Sequence, residues 1–457
     1  LDELSLIRLI ENALTREHGV QTMEEAIAYL REAYRHEMLR QWLKRDRHSG
    51  AIQVTRHGLH LAVRYDVMLV DMLRNVPQSE RLQLVNEQNA SRCTALHLAA
   101  LSGNPKSIRA IIDLYPSEPE RVQAVEMRDI FGKTVLHYVA ESRSIEAFKL
   151  VLTLLPESEH LRLVCTKDAR ERTMLHLVAR SCNCDFIRLV LSLYPESERV
   201  KAVEKPDADE ITALHRAAES GDLESIKTLL DLYPESERLR TVSLENCAGM
   251  TMLHYAASSK NPESIAHILS FLPESVHLQV LKPREYEGRS VLHFAVSSNN
   301  IGCIRTILAL YSEPERLLAL CTQDKSGRNV LHAAAQSKNH ELIHSIITSL
   351  PDSQLVQVVN LQDGNGKTLL HHAAKSRNTE SIKHILTLLP ESQRLLAVCL
   401  QDRQGRTPLH DAASIGDTDS IECMLTLLPA PQRSLAVEIM DHSEKSVLDR
   451  LNGEACN

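Results

Sequence analysis

The chain has 457 residues, enough for two to four ordinary domains or for one long repeat array. Hydrophobic residues make up 43% and charged residues 25%, as in a soluble folded protein, but aromatics are only 4%, with one tryptophan, Trp42; many thin Leu/Ile/Ala layers are therefore expected instead of one large core. The net charge of −8 argues against a general nucleic-acid binder, and no uninterrupted apolar run is long enough to span a membrane.

Nothing at the start reads as a secretory signal, and the chain begins at Leu1 without an initiator methionine, which leaves room for residues upstream. Residues 1–50 predict a helical hairpin. "LDELSLIRLIENALTREHG" reads as one helix ending at Gly19. "TMEEAIAYLREAYRHEMLRQWLKRDRHSG" reads as a second, with Thr22 and Glu25 as a capping box. The hairpin most simply covers the apolar face of the first repeat. The sharper alternatives are a remnant of a larger upstream domain, or a dimer surface using Trp42.

Residues 51–457 repeat themselves. "TALHLAA" at Thr94 returns as "TVLHYVA" at Thr134, "TALHRAA" at Thr212, "NVLHAAA" at Asn329 and "TPLHDAA" at Thr407, among nine copies. Their histidines are His97, His137, His176, His215, His254, His293, His332, His371 and His410, so the step is 39 residues after a first step of 40. An amphipathic dodecamer marches with them: "SLYPESERVKAV" from Ser192, "DLYPESERLRTV" from Asp231, "TLLPESQRLLAV" from Thr387. Nine regular repeats occupy about 89 to 440. A degenerate repeat covers 51–88 ("GLHLAVRYDVMLVDMLRNVPQSERLQLV" from Gly58), and a partial capping repeat covers 441–457, with Asp449 in the histidine slot. Atypical end units suit a solenoid whose ends face water.

Within the unit around His215, Thr212 is a hydroxyl cap for a short first helix whose buried face is Leu214, Ala217 and Ala218. Gly221-Asp222 breaks and restarts the chain. "LESIKTLLDLY" predicts a second helix with Leu223, Ile226, Leu229 and Leu230 inward. Pro234 ends it and begins a third, with Glu235 and Glu237 at the positive end of the helix dipole and Leu239 and Val242 inward. The dodecamer's Glu and Arg are expected mostly in solvent. A turn closes each unit. Eight residues before the histidine stands Asp129, Asp168, Asp207, Asn246, Glu285, Asp324, Asp363 or Asp402; five before it is often glycine, as at Gly249 and Gly327. Glu171, Glu210 and Glu444 replace that glycine and suggest looser tips.

The ten cysteines form no disulfide framework. Cys165, Cys321 and Cys399 occupy one slot of the repeat and read as reduced, buried thiols of a cytosolic compartment. Cys182 and Cys184 lack a second ligand pair at metal spacing and read as structural.

The pattern D-x-x-G-x-T-x-L-H-x-A-A, a short loop and an amphipathic second helix resembles the ankyrin repeat over roughly residues 52–457. Two departures stand out. The family's T-P-L-H proline survives only at Pro408, and the period is 39 where the family has about 33. The dodecamer accounts for the difference as an added third helix on the outer rim. The resemblance implies an all-α ankyrin-repeat solenoid of helix, helix, short helix and turn. It also implies that the nine motif histidines are structural, each bonding neighbouring backbone. A row of metal-binding imidazoles is the competing idea, but repeats about 10 Å apart are too far to share one ion.

By the same resemblance, a partner protein is expected on a concave face of turn tips and first helices. Four residues before each histidine the tip carries Lys133, Arg172, Ile211, Met250, Arg289, Arg328, Lys367 and Arg406, then Lys445 before Asp449. From Arg289 onward this is a basic row, to which Lys325, Lys375 and Arg403 should add; an acidic segment of a partner would be attracted to it. The plainer reading is a set of solvated side chains. Ile211 and Met250, beside Cys247 and Ala248, read as an apolar contact patch. No P-loop, G-x-S-x-G, H-E-x-x-H or CxxC pair is present, so no enzymatic activity, cofactor or metal is expected. The chain reads as a monomeric, non-enzymatic, cytoplasmic interaction scaffold. Its "LLPES" extensions look similar to ankyrin effectors that intracellular bacterial pathogens deliver into the host cytosol. The alternatives are a eukaryotic cytosolic adaptor, or the substrate-recruiting arm of an enzyme whose catalytic domain lies upstream.

Overall fold

The computed structural model describes residues 43–45, 52–54, 73, 76–282, 285–337 and 339–454. Most of the predicted N-terminal hairpin, Trp42 with its dimer surface, and most of the degenerate repeat lie outside the described residues. Where the hairpin's second helix is described, it is not helical. Leu43–Arg45 is a strand paired antiparallel with Ile52–Val54, Leu43 opposite Val54. The intervening sequence holds Asp46, Ser49 and Gly50, poor helix residues and good turn residues.

From Gln78 onward a helix triplet recurs. Around His215 it comprises Ala213–Ser220, Leu223–Leu230 and Glu235–Val242. Thr212 is extended and caps the first helix, and Gly221 ends it in the left-handed region at φ 71°. The Asp222 carboxylate accepts the Ser225 N–H at 3.0 Å and starts the second helix. Ile226, Leu229 and Leu230 are fully buried there, each contributing on the order of 2 kcal/mol. This helix stops at Leu230, three residues earlier than its apolar pattern predicts. Asp231–Tyr233 turns instead and buries the Tyr233 ring. Pro234 then stands outside the third helix as its cap, with Glu235 and Glu237 in the first turn and Val242 buried.

Two compact units result, one ending at Glu198 and one beginning at Arg199. Within the first, the first helices Ala95–Ser102, Val135–Ser142 and Met174–Ala179 pack in sequence order. Within the second, Ala213–Ser220, Met252–Ser258, Val291–Ser297, Val330–Gln336, Leu369–Lys375 and Pro408–Ala413 do the same. Ala217, Ala256, Ala295, Ala334, Ala373 and Ala412 are fully buried in these contacts, where a larger side chain would hold the backbones apart. Repeated alanine and leucine thus build the all-α array of stacked repeats that the sequence predicts.

The third helix departs from expectation in one respect. Its arginine holds the turn that follows the second helix. Arg238 Nε donates to the Tyr233 carbonyl at 3.3 Å, Arg394 Nε to Leu389 at 3.2 Å and Arg433 Nε to Leu428 at 3.1 Å. Where histidine replaces arginine, it serves the same carbonyls: His160 Nε2 lies 2.9 Å from Leu152 O and 3.1 Å from Leu155 O, and His277 is bonded alike. These bonds satisfy carbonyls that a helix end leaves without partners. The described cysteines are free; Cys165, Cys321 and Cys399 are half-buried, less enclosed than expected.

Candidate functional site

Each closing turn is organised by the acid eight residues before the histidine. One oxygen of Asp207 accepts the N–H groups of Asp209 and Ile211, both at 2.9 Å. Asp129, Asp168, Asp324, Asp363, Asp402 and Asp441 fold their turns the same way. Adjacent tips are tied by backbone bonds: Tyr286 N–H to Ala248 O at 2.7 Å, Lys325 to Glu287 at 2.8 Å, Gly364 to Ser326 at 3.0 Å and Arg403 to Asn365 at 2.9 Å. A Cβ on Gly327 would meet the Gly364 nitrogen at 2.4 Å, so glycine permits this approach. The tips with Glu171, Glu210 and Glu444 are not looser. These residues adopt the same left-handed conformation, at φ 60°, 58° and 57°, and their N–H groups bond the turn acid's carbonyl at 3.0 Å.

The second oxygen of the turn acid needs one more donor, and two positions compete to supply it. In some repeats it is the basic residue four before the histidine. Arg172 pairs with Asp168 at 2.7 Å, Arg289 with Glu285 at 3.3 Å, Arg328 with Asp324 at 3.2 Å and Arg406 with Asp402 at 3.0 Å. In the others it is the residue just after the histidine. Tyr138 reaches Asp129 at 2.7 Å, Arg216 reaches Asp207 at 3.0 Å, and His372 reaches Asp363 at 3.0 Å. At Asn246 the amide donates to the Tyr255 hydroxyl at 2.9 Å. Arg450 completes the rule at Asp441 beside the absent tenth histidine. Burial pushes the Asp402 carboxyl up, but the N–H groups of Arg406 and Gln404 and the Arg406 guanidinium outweigh it and hold it below the usual range.

The predicted site residues fall into place through this rule. Ile211 and Met250 stand where Arg216 donates to the turn residue and Tyr255 accepts from it, so their own slot is free to be apolar. Ile211 is only 7% exposed and Met250 half-buried, so together they do not present an open apolar patch. Arg289, Arg328 and Arg406 are engaged with their own turns. Lys367 is buried, 2.5 Å from Asp411 and 3.7 Å from Asp402. Lys325, Lys375 and Arg403 are exposed, Lys325 lying 3.7 Å over the Tyr286 ring. The large apolar groups that the tips do expose were missed by reading only one slot: Ile130 at 51%, Phe131 at 57% and Tyr286 at 70%. Their signal was an apolar residue one or two places after the turn acid.

The motif histidines lie inside the scaffold. Nδ1 of His215 accepts the Thr212 N–H at 3.2 Å, which fixes the proton on Nε2, and Nε2 reaches Leu244 O at 3.1 Å, just past the third helix of its own repeat. His97 bonds Met127 O and His332 Leu361 O in the same manner, whereas His371 and His410 reach Arg406 O and Lys445 O in the following turn. His137 reaches Arg172 O at 3.2 Å, and His176, His254 and His293 make the Nδ1 bond to their own caps. Burial lowers His97, His137, His293 and His410, and holds His215, His254, His332 and His371 at about 4. Among the described residues no group of three or more His, Cys, Asp or Glu could hold a metal ion, and no helix is long and apolar enough to cross a membrane.

The family model for ankyrin repeats, three copies in length, matches residues 59–160, 175–278, 253–354 and 331–433. No curated protein matches the chain. Ankyrin repeats are protein–protein interaction modules. Capped first helices, histidines bonded to backbone past their own third helix or in the next turn, and turns folded on one acid agree with the family match, and the chain belongs to the ankyrin-repeat family.

Proposed function

We propose that the chain is a non-enzymatic scaffold that holds a partner protein on the concave face formed by its turn tips and first helices. The observation that carries this reading is the combination of tied, pre-ordered tips with large exposed apolar side chains, Ile130 and Phe131 in one unit and Tyr286 in the other. A rigid tip loses little entropy on binding, and an exposed aromatic on a rigid support is the usual anchor of an interface. The exposed cations Lys325, Lys375 and Arg403 favour an acidic segment in the partner. Resemblance of the extended repeats to secreted bacterial effectors supports a monomer acting on a host protein in the host cytosol.

A photo-crosslinking side chain tests the face used. Placed at Phe131 or Tyr286 in the chain expressed in cells, it should yield a discrete crosslinked species. Placed at Leu396 or Leu435, exposed on the third helices, it should not. Crosslinks from the third helices with none from the tips would end the concave-face reading.

A further inference from the structure

The slot just after the motif histidine is filled by Leu98, Tyr138, Leu177, Arg216, Tyr255, Phe294, His372 and Asp411, but by Ala333 in one repeat. Beside Ala333, between the first helices Val291–Ser297 and Val330–Gln336, lies a solvent-open pocket of about 330 Å³, lined by Arg289, His293, Asp324, Arg328 and Asn329 among others. Two of these residues carry a buried nitrogen with no hydrogen-bond partner, Arg328 Nε and Asn329 Nδ2, while His293 Nε2 faces the Arg328 carbonyl. Both are donors. Asn329 Oδ1 accepts the His332 N–H at 3.0 Å, which turns the amide NH₂ away from the helix. Arg328 commits Nη2 to Asp324 and leaves Nε unused. Asn329 is also the one amide in a slot that elsewhere holds Thr or Ser. His293 is 3% exposed and Asn329 1%.

Buried donors without acceptors are costly, and a ligand that accepts from them recovers that cost. A carboxylate is the side-chain group that only accepts. We infer that this pocket is a carboxylate-accepting subsite, taking an Asp or Glu side chain of the bound partner. The inference rests on the reading above that the tip and first-helix face binds a protein.

The test uses the full chain and a fluorescent oligoglutamate peptide, with oligoglutamine as control. The wild type should bind the glutamate peptide and not the glutamine one. Ala333→Phe, which copies the neighbouring Phe294 and obstructs the pocket, should weaken binding about tenfold while leaving thermal stability intact. Asn329→Thr, which restores the residue of the other repeats, should weaken it severalfold. Equal binding by wild type and both variants, equal binding of the two peptides, or no binding of oligoglutamate by the wild type would each overturn the subsite. Tip crosslinking that survives Ala333→Phe while peptide binding is unaffected would sink only this inference; loss of tip crosslinking in the wild type would sink the broader reading.

Discussion

At the scale of single residues, the turn residue obeys a complementarity rule: the outer oxygen of an acid takes a donor from four before the histidine or from one after it, and an amide in the same place gives one. Asp207 draws on Arg216, and Asn246 donates to Tyr255. Asp207→Asn should therefore cost about 2 kcal/mol, because it puts an amide against a guanidinium that is mostly buried. Adding Arg216→Tyr should recover at least half of that loss, since it recreates the neighbouring Asn–Tyr pair. A double-mutant cycle by denaturant unfolding measures the coupling; strictly additive losses would refute the rule. The acid and both competing donors are visible in the sequence, but their meeting is not. Four and nine residues separate them from the acid, and only the folded turn brings either within reach. A row of cations read along one slot therefore looked like a free basic surface when Arg289, Arg328 and Arg406 were committed to their own turns.

At the scale of elements, the first helices were legible because Thr or Ser at the cap, leucine, histidine and paired alanines recur at fixed spacing. The end of the second helix was not, since the apolar pattern runs on through Tyr233 while the backbone turns after Leu230. What the amphipathic pattern conceals is the work of the third helix. Arg316 donates to Leu308 O at 3.1 Å and Tyr311 O at 3.2 Å within its repeat, and to Ser349 O at 2.8 Å in the next. Arg316→Ala should cost about 2 kcal/mol, and Arg316→His less, because His160 and His277 reach two such carbonyls. Hydrogen exchange locates the effect: amides of both Ile301–Leu310 and His340–Ile347 should lose protection. Protection lost in the first alone would show that the arginine does not join repeats.

At the scale of the whole molecule, the repeats share a line of buried histidines that must stay neutral, and this makes stability depend on pH. Burial holds His215, His254, His332 and His371 at about 4, whereas an unfolded histidine titrates near 6.5. Between those values the unfolded chain binds more protons than the folded one, so stability falls as pH drops from about 6.5 to 4, by up to ~1.4 kcal/mol per pH unit for each histidine. The turn carboxylates act lower. Burial raises Asp441, but Arg450 and the N–H groups of Lys445 and Ser443 bring it to about 2; its contribution is present above about 4 and is lost only below. Acid unfolding should accordingly begin near pH 6 and be well advanced before the turns protonate. His215→Asn separates the two. An amide at that position can still take the Thr212 N–H, as Asp449 takes that of Ser446, but it loses the bond to Leu244 O. The variant should be less stable at pH 7 by about 1–2 kcal/mol. Its stability should also fall more gently between pH 6.5 and 4, by the share of one proton. Denaturant titrations at pH 7, 6 and 5 read that slope, and parallel lines for wild type and variant would mean that His215 is not held neutral by the fold.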